Sequence, residues 1–382
     1  MFDEIIDRKN TSCSKYDDLE HYFGKAELNP YWVADMDFEI PPFLQEAIQK
    51  RASHNIFGYG KQNKEIYSAI KSWMKNQHSW EIETSWISLC NGVVPAYSAC
   101  IEAFSNRGDE VIVQTPVYFP LFQYIKSNNR KLLTNPLKEN NGYYTMDLEH
   151  LKSIITPKTK ILVLCSPHNP VGRVWSKKEL EELANICIEK NITIISDEIH
   201  ADLVFKKFTP LASINENVAN ITVTLNSAGK TFNIAGLNAS YCITSNQKLK
   251  VNLDKIIKKR VINSINVFGL IAMQCAYENG NEWLNNLNNY LISNINHAIE
   301  LLHKHTKITV CKPEATYLLW LDFSLYNLEH EKIKKILIED CKIALNDGIT
   351  FGENGKFHFR LNTATSKNYL NIGLNNIINN FK

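Results

Sequence analysis

Short apolar runs alternate with amphipathic stretches through the middle of the chain. Seven runs have the length and composition of buried strands: Trp86–Cys90, Glu110–Gln114, Lys131–Asn135, Lys160–Cys165, Ile192–Ser196, Ile221–Leu225 and Ala239–Thr244. Between them, Pro95–Phe104 and Ser176–Lys190 show helical periodicity, and Ser176 followed by Glu179 is typical of a capping box that begins a helix. Strands that are apolar on both faces and alternate with helices indicate a mostly parallel sheet covered on both sides. The pattern therefore predicts the α/β class.

The two ends of the chain follow a different pattern. Pro41 and Pro42 precede an amphipathic stretch over Phe43–Ser53. Towards the C-terminus the periodicity is mostly helical and then returns to strands, over Lys248–Val261, Val267–Tyr277, Glu282–His305, Tyr317–Asp322 and Phe357–Leu361. We expect a large domain over 46–280, a smaller α+β domain over 281–382, and an N-terminal segment, 1–45, that joins the small domain.

Composition and charge exclude several classes of protein. Of the 382 residues, 44% are apolar and 21% are charged, which is typical of a chain that folds around a large core. Forty-two basic residues against 40 acidic ones leave a formal net charge of +2, so broad electrostatic capture of nucleic acid is not expected. The basic stretch from Lys248 to Arg260 has apolar residues at helical spacing, which favours a solvated helix face over a nucleic-acid contact.

The cysteines and the first residues bear on the location of the protein. The nine cysteines are scattered without any C-x-x-C pair, and several lie inside apolar runs, as Cys165 does. This favours buried, reduced thiols over disulfides or a zinc site. The start, MFDEIIDRKN, does not resemble a signal peptide, and no apolar run approaches the roughly 18 residues of a membrane span. We expect a cytoplasmic protein without a membrane partner.

Polar residues follow four of the predicted strands at the point where each strand ends. They are Asn91-Gly92, Ser166 to Gly172, Asp197 to His200, and Asn226 to Lys230. Ligands of open α/β sheets bind beyond the carboxyl ends of the strands, where such segments meet. Their convergence in one sheet is more informative than any one of them.

Each segment alone has an ordinary interpretation beside a chemical one. Lys230 alone is typical of a surface lysine, but in a small-residue loop after a buried strand its amine can lose water and have a lowered pKa, as a Schiff-base lysine requires. Asp197 alone suggests a helix cap or a surface acid. Asn91-Gly92 is consistent with an ordinary turn or with a helix start that binds phosphate. Asn169 lies in a rigid polar turn that can direct it inward.

The ordered motifs carry a resemblance to a known family. NGV at a helix start, TPVY, SPHNPVG, SDEIH, and S-x-x-K followed by Gly236 resemble the fold-type I enzymes of the class I/II aminotransferase superfamily, which use pyridoxal 5′-phosphate (PLP). More narrowly, YWVADMDFEIPP, FGYG, LCSPHNPVGRVW, ISDEIHADLVF and GKTFNIAGLNASY resemble the cystathionine β-lyase-like branch of C–S lyases. The resemblance covers nearly the whole chain. It implies the fold-type I PLP-dependent transferase fold, with a mostly parallel seven-stranded sheet and a smaller α+β domain.

The resemblance also implies roles for residues around the cofactor. Lys230 would bind PLP covalently and then move the Cα proton of the substrate. Asp197 would keep the pyridine nitrogen protonated, so that the ring withdraws electrons. Other implied cofactor-binding residues are Gly92, Val93 and Ser227 at the phosphate, Tyr118 on the ring face, Asn169 at the ring oxygen, His200 three residues after Asp197, and Tyr59, which resembles the tyrosine that reaches the phosphate of a neighbouring subunit. A homodimer with a shared active site follows from the last of these.

By the same resemblance, Arg360 in FHFRLNTA would bind the α-carboxylate of an amino-acid substrate. Its planar fork suits a bidentate carboxylate, although an arginine on an edge strand can equally lie at the surface. Alternation of Phe357, Phe359 and Leu361 with polar residues predicts a half-buried strand on which Arg360 faces away from the apolar side. Asn169 and the backbone at Ala34 would complete the substrate site.

Two positions depart from the aminotransferase pattern. Where many aminotransferases have a phosphate-binding arginine, eight residues after the lysine, this chain has Asn238. Where they often have a tyrosine, three residues after the aspartate, it has His200, as in the lyase branch. His200 can equally be a packed histidine without a chemical role. The first departure implies that the phosphate is held less by charge and more by backbone donors, Ser227 and Tyr59. The second favours elimination over transamination without deciding between them.

The leading interpretation is therefore a PLP-dependent C–S β-lyase. It would convert cystathionine, cysteine or S-substituted cysteines to a thiol, pyruvate and ammonia. The first alternative is an aminotransferase, which would use the same residues. The second is an added regulatory binding role. Intact Lys230, Asp197, Asn169 and Arg360 argue against a purely non-catalytic protein.

Overall fold

A seven-stranded sheet forms the centre of the molecule. A computed structural model describes residues 2–382. The strands lie in the order Ile87–Cys90, Ser240–Ile243, Thr222–Asn226, Thr193–Asp197, Thr159–Cys165, Glu110–Val113 and Lys131–Thr134. Only Ser240–Ile243 runs antiparallel to its neighbours. All seven predicted strands are confirmed, with bounds within one residue, and the sheet is mostly parallel as expected.

The strands are buried on both faces. Along the inner strand Thr159–Cys165, Leu162 and Leu164 belong to one apolar cluster, whereas Val163 and Cys165 belong to a second cluster on the other face. This alternation follows from the two-residue period of a strand, and it explains why the strand has an uninterrupted apolar sequence.

Helices cover the sheet and extend to both ends of the chain. The α-helices are Ser14–Asp17, Leu19–Phe23, Pro42–Ala52, Lys64–His78, Val93–Phe104, Pro120–Ser127, Leu148–Ile154, Lys177–Glu189, Glu216–Ala219, Ala228–Thr231, Gln247–Lys259, Val267–Asn279, Asn281–His305, His330–Glu339 and Lys367–Asn380. Short 3₁₀ helices are Thr84–Trp86, Leu211–Ser213, Ala235–Leu237, Ser324–Tyr326, Gly348–Phe351 and Glu353–Gly355. The predicted capping box is confirmed, because the Glu179 N–H donates to Ser176 Oγ at 3.2 Å and the Ser176 N–H to Glu179 Oε2 at 2.8 Å.

A second, antiparallel sheet lies in the C-terminal part. Its four strands are Thr309–Cys311, Leu318–Asp322, His358–Asn362 and Asn346–Asp347, in that order. The short strand Asn29–Pro30 pairs in parallel with Ile343–Ala344, and Lys138–Asn140 forms a hairpin with Tyr143–Thr145. The pairing of residues 29–30 with 343–344 supports an N-terminal segment that joins the C-terminal part. The domain bounds at 45 and 280 stay a prediction.

One expectation about the second sheet is wrong. Strand His358–Asn362 is not half-exposed, because residues 359 to 362 are all buried and His358 is partly so. Phe359 and Leu361 pack in the core of the C-terminal part, while the other face lies against the turn that carries Asn169. A neighbouring element therefore covers the polar face.

All nine cysteines are free, and only Cys13 and Cys275 are not buried. No helix within residues 2–382 is long and apolar enough to cross a membrane.

Candidate active site at the carboxyl ends of the strands

Lys230 lies in the short helix Ala228–Thr231, directly after a buried strand. Its Nζ donates a hydrogen bond to the carbonyl of Ala34 at 2.5 Å. Burial lowers the pKa of Lys230 to about 8, with a raising contribution from Asp35 and a lowering one from Arg360. An amine in this state loses its proton near pH 8, well below an ordinary lysine, as a nucleophile or a general base requires.

Asp197 ends the strand beside the one that precedes Lys230. Its side chain is buried and accepts a hydrogen bond from the Ile199 N–H at 3.1 Å. Burial raises its pKa. Within residues 2–382 no cation lies within ion-pair distance of this carboxylate, so a protonated ligand atom would stabilise its charge.

The segment at Asn91-Gly92 begins the helix Val93–Phe104. Gly92 has φ of +123°, a backbone conformation that favours glycine. Its N–H donates to Ser240 Oγ at 3.1 Å, whereas the N–H of Val93 lies in the first helical turn, where the helix itself offers no acceptor. The side-chain oxygen of Asn91 is buried without a partner. The helix start can therefore accept an anion through Val93 more readily than through Gly92.

Ser227 caps the helix that carries Lys230. Its Oγ accepts the Gly229 N–H at 2.9 Å and donates to the Ala239 carbonyl at 2.7 Å. Its predicted contact with a phosphate stays a prediction and would require this hydroxyl to exchange one partner.

Arg360 extends from strand His358–Asn362 into the same cleft and is only 3% exposed. Nη1 donates to Asn169 Oδ1 at 2.9 Å, and Nη2 donates to the Trp32 carbonyl at 2.9 Å and to Asn346 Oδ1 at 2.5 Å. Nε has no partner. Burial lowers the pKa of Arg360 to about 10. The guanidinium is thus a buried cation held by neutral oxygens.

Asn169 and Tyr118 come from turns after two other parallel strands. Asn169 is buried and joined to Arg360. Tyr118 is half-buried against the core of the sheet, and burial raises its pKa to about 12, so the phenol is neutral. Nε2 of His168, in the Asn169 turn, lies 2.7 Å from the carbonyl of Pro116 and joins the two turns.

His200 is buried, and its Nδ1 has no partner. Burial, with smaller effects of Lys230 and Arg360, lowers its pKa to about 3, so the imidazole is neutral. Its ring lies edge-on to the ring of Tyr317, with centroids 6.2 Å apart.

Of the other predicted residues, Ala34 lies in the cleft and Tyr59 does not. The Ala34 carbonyl accepts hydrogen bonds from Lys230 and, at 2.9 Å, from the Tyr317 hydroxyl. Tyr59 is fully exposed and lies outside the cleft of its own chain.

Three residues of the cleft, Trp32, Tyr317 and Asn346, were given no role from the sequence, although Trp32 lies in the motif YWVADMDFEIPP. Trp32 acts through a backbone carbonyl, which its side chain does not indicate. Tyr317 begins a predicted strand, and Asn346 lies in an unremarkable LND segment. Only their hydrogen bonds to Arg360 or to Ala34 show that they belong to the site.

A cavity of about 330 Å³ adjoins the partners of Arg360. It is lined mainly by apolar side chains, among them Tyr22, Phe23, Trp32 and Phe119, together with Asn346. Arg360 itself does not line this cavity, whose lining includes Phe359 and Asp347 from the opposite face of the strands.

A parallel sheet with a partly buried lysine and a buried aspartate and asparagine at its strand ends, facing an arginine from a second sheet, defines a fold-type I PLP-dependent protein. The family model for aminotransferase class I and II matches residues 33–377, and the chain belongs to this family. The family resemblance and the fold class expected from the sequence are thereby confirmed.

Similar proteins cover nearly the whole chain. Cystathionine beta-lyase PatB of Bacillus subtilis is 38% identical over 380 residues, which is 98% of each chain. Two solved structures share the fold. A PLP-bound protein of Clostridium difficile, provisionally described as an aminotransferase, has a TM-score of 0.98 and 40% identity over 100% of this chain and 99% of its own. Cystalysin of Treponema denticola, which contains PLP, has a TM-score of 0.95 and 33% identity over 99% of this chain and 98% of its own.

Proposed function

We propose that this protein is a PLP-dependent C–S β-lyase that converts cystathionine, cysteine or S-substituted cysteines to a thiol, pyruvate and ammonia. The observation that carries the proposal is the grouping of the Lys230 amine, the Asp197 carboxylate and the Arg360 guanidinium in one buried cleft. The lyase and PLP-bound relatives support it.

The residues of the cleft fit PLP. Within residues 2–382, buried polar atoms of Asn91, His200 and Arg360 have no hydrogen-bond partner, and no cation lies within ion-pair distance of Asp197. Lys230 would bind the cofactor covalently through Nζ, and Asp197 would hold its ring nitrogen in the protonated form. We assign Tyr118, Asn169 and His200 to the ring, and Gly92, Val93 and Ser227 to the phosphate. When bound, PLP supplies an electron-withdrawing ring that stabilises negative charge at Cα of an amino acid.

Arg360 would bind the substrate α-carboxylate, with Asn169 and the backbone of Ala34 beside it. Two of its five N–H donors have no acceptor and are available to a carboxylate. This contact would restrict the rotation of the amino acid and so orient its Cα–H bond towards Lys230. Lys230 Nζ, neutral above a pH of about 8, can then take the Cα proton.

A thiolate leaves readily from Cβ, so elimination requires orientation more than acid catalysis.

Transamination is the second candidate, because the family includes aminotransferases and the same residues would serve. The two differ in their need for a keto acid. We expect purified protein with PLP to release thiol and pyruvate from cystathionine or S-methylcysteine without any added keto acid. Turnover that occurs only with a keto acid acceptor would establish the aminotransferase instead.

Lys230→Ala is the control for that assay. Wild-type protein with PLP should show a visible absorbance band that borohydride removes, and K230A should lack both the band and the activity. A protein that PLP does not colour would contradict the whole proposal.

We also propose a homodimer in which Tyr59 of one copy reaches the phosphate site of the other. Tyr59 is fully exposed, and Ile56 and Phe57 on the same segment are 69% and 59% exposed. Such a patch favours burial against a second copy. A cytoplasmic location and an added regulatory role stay predictions.

A further inference from the structure

Arg360 receives a hydrogen-bond acceptor from the neighbouring edge strand. Asn346 lies directly opposite Arg360 in the antiparallel pair Asn346–Asp347 with His358–Asn362. Its Oδ1 accepts from Nη2 at 2.5 Å. The other two acceptors, Asn169 Oδ1 and the Trp32 carbonyl, are also neutral. Within residues 2–382, no carboxylate forms an ion pair with this buried guanidinium.

An acidic side chain stands next in the sequence but faces the other way. Asp347 accepts hydrogen bonds from His330 Nε2 at 2.8 Å and from the Ile349 N–H at 3.1 Å, and it pairs with Lys334 Nζ at 3.0 Å. Nδ1 of His330 accepts the Phe357 N–H at 3.0 Å, so Nε2 carries the proton that Asp347 accepts. Because successive side chains of a strand point to opposite faces, Asp347 is directed away from Arg360.

The arrangement therefore orients the guanidinium without cancelling its charge. An aspartate at 346 would form a buried ion pair with Arg360 and would compete with any incoming carboxylate. An alanine at 346 would leave one guanidinium N–H of Arg360 without its acceptor, and the guanidinium would be freer to rotate.

We propose that Asn346 is a positioning residue that holds Arg360 in an uncompensated state and so makes the site selective for substrates with a free α-carboxylate. The inference rests on the proposed assignment of Arg360 to that carboxylate.

The test compares an acid with its amide. S-Ethyl-L-cysteine and S-ethyl-L-cysteinamide differ only in the carboxylate, so the ratio of their kcat/KM values measures selectivity for its charge. We expect N346D to lower this ratio at least ~10-fold, chiefly through KM for the acid, since the new carboxylate neutralises Arg360. N346A should lower kcat/KM for the acid ~10-fold, whereas kcat/KM for the amide should change little. A merely structural defect would reduce both substrates alike.

Binding is measured separately with 2-aminoisobutyrate, which has no Cα proton and cannot be turned over. Its affinity by calorimetry should fall in N346D and N346A. Asn375→Asp, on the exposed side of helix Lys367–Asn380, adds the same charge and should leave both readouts unchanged.

Arg360→Met separates this inference from the proposed function. If R360M keeps the acid-to-amide ratio of the wild type, the carboxylate assignment of Arg360 is wrong. If R360M loses the ratio while N346D and N346A keep it, only the role of Asn346 is refuted. If N346D does not fold, the result for N346A alone decides whether Asn346 has the proposed role.

Discussion

At the scale of single residues, burial disfavours the charged form of the three main ionisable groups of the cleft. It lowers the pKa of Lys230 and of Arg360 and raises that of Asp197, in each case against the charged form. These groups have few charged partners within the protein. A cofactor with an anionic phosphate and a protonated ring, and a substrate with a carboxylate, would supply the missing charges. The charges that these groups leave unbalanced therefore match the chemistry of the proposed ligands.

The pKa of Lys230 gives a pH prediction for the cofactor-free protein. Only the neutral amine attacks an aldehyde, so the rate of PLP capture should rise with pH through a midpoint near 8. Asp35 raises this pKa and Arg360 lowers it, so D35N should move the midpoint down and R360M should move it up. Stopped-flow absorbance measures the rate. A midpoint near the ordinary lysine value of about 10.4 would contradict the burial argument.

Asp197→Asn tests the electrostatic role of the carboxylate. We expect the variant to bind PLP and show a visible band but to turn over at least ~100-fold more slowly, because a neutral amide does not keep the ring nitrogen protonated. Steady-state pyruvate release measures the loss. Asp340→Asn, at an exposed helix end, is the matched control. Wild-type turnover in D197N would refute the assignment.

At the scale of elements, the turn that carries Asn169 is held against the C-terminal part of the chain. Gly172 has φ of +68°, and its carbonyl accepts the N–H groups of Glu314 and Ala315 at 2.8 and 3.0 Å. A Cβ at this position would lie 2.4 Å from Cβ of Pro313. The close approach fixes the distance between Asn169 and the strand of Arg360.

Gly172→Ala should therefore affect both stability and the site. The left-handed backbone and the clash together should lower the free energy of unfolding by about 2–5 kcal/mol. The displaced turn should also raise KM. Urea unfolding and steady-state kinetics measure the two effects. Gly236→Ala is the control, since a Cβ there meets nothing within 4 Å and φ is not positive. Equal free energies of unfolding for the two variants would show that the close contact at Gly172 does not contribute to stability.

At the scale of the whole molecule, the proposed role of Tyr59 predicts that each site needs two copies of the chain. The segment with Ile56, Phe57 and Tyr59 is exposed in a single chain and carries no contact to its own cleft. Mixed dimers test the shared site. K230A and Y59A chains, each nearly inactive, should regain about a quarter of wild-type activity when unfolded together and refolded, because half of the dimers have one intact site. If the mixture is no more active than the separate variants, Tyr59 acts within its own subunit or not at all.

The elements of the large sheet were predictable because their pattern is local. A buried parallel strand is a short apolar run, and a capping box occupies four consecutive residues, as at Ser176–Glu179. The burial of strands in the second sheet was harder to predict. The alternation around Arg360 correctly indicated that this residue faces away from Phe359, but it did not indicate that the polar face is covered.

The sequence by itself determined which residue types follow each strand, and hence the family and its cofactor. Lys230, Asp197 and Asn169 can be found from the chain alone, because a parallel sheet brings all of its carboxyl ends to one edge. Only the tertiary structure decided the surroundings of Arg360. Asn346, Trp32 and Tyr317 come from segments far apart in the chain, and their contacts depend on how the two sheets pack. Hydrogen bonds across such distances leave no periodicity in the sequence, so the charge balance of the cleft is a property of the fold.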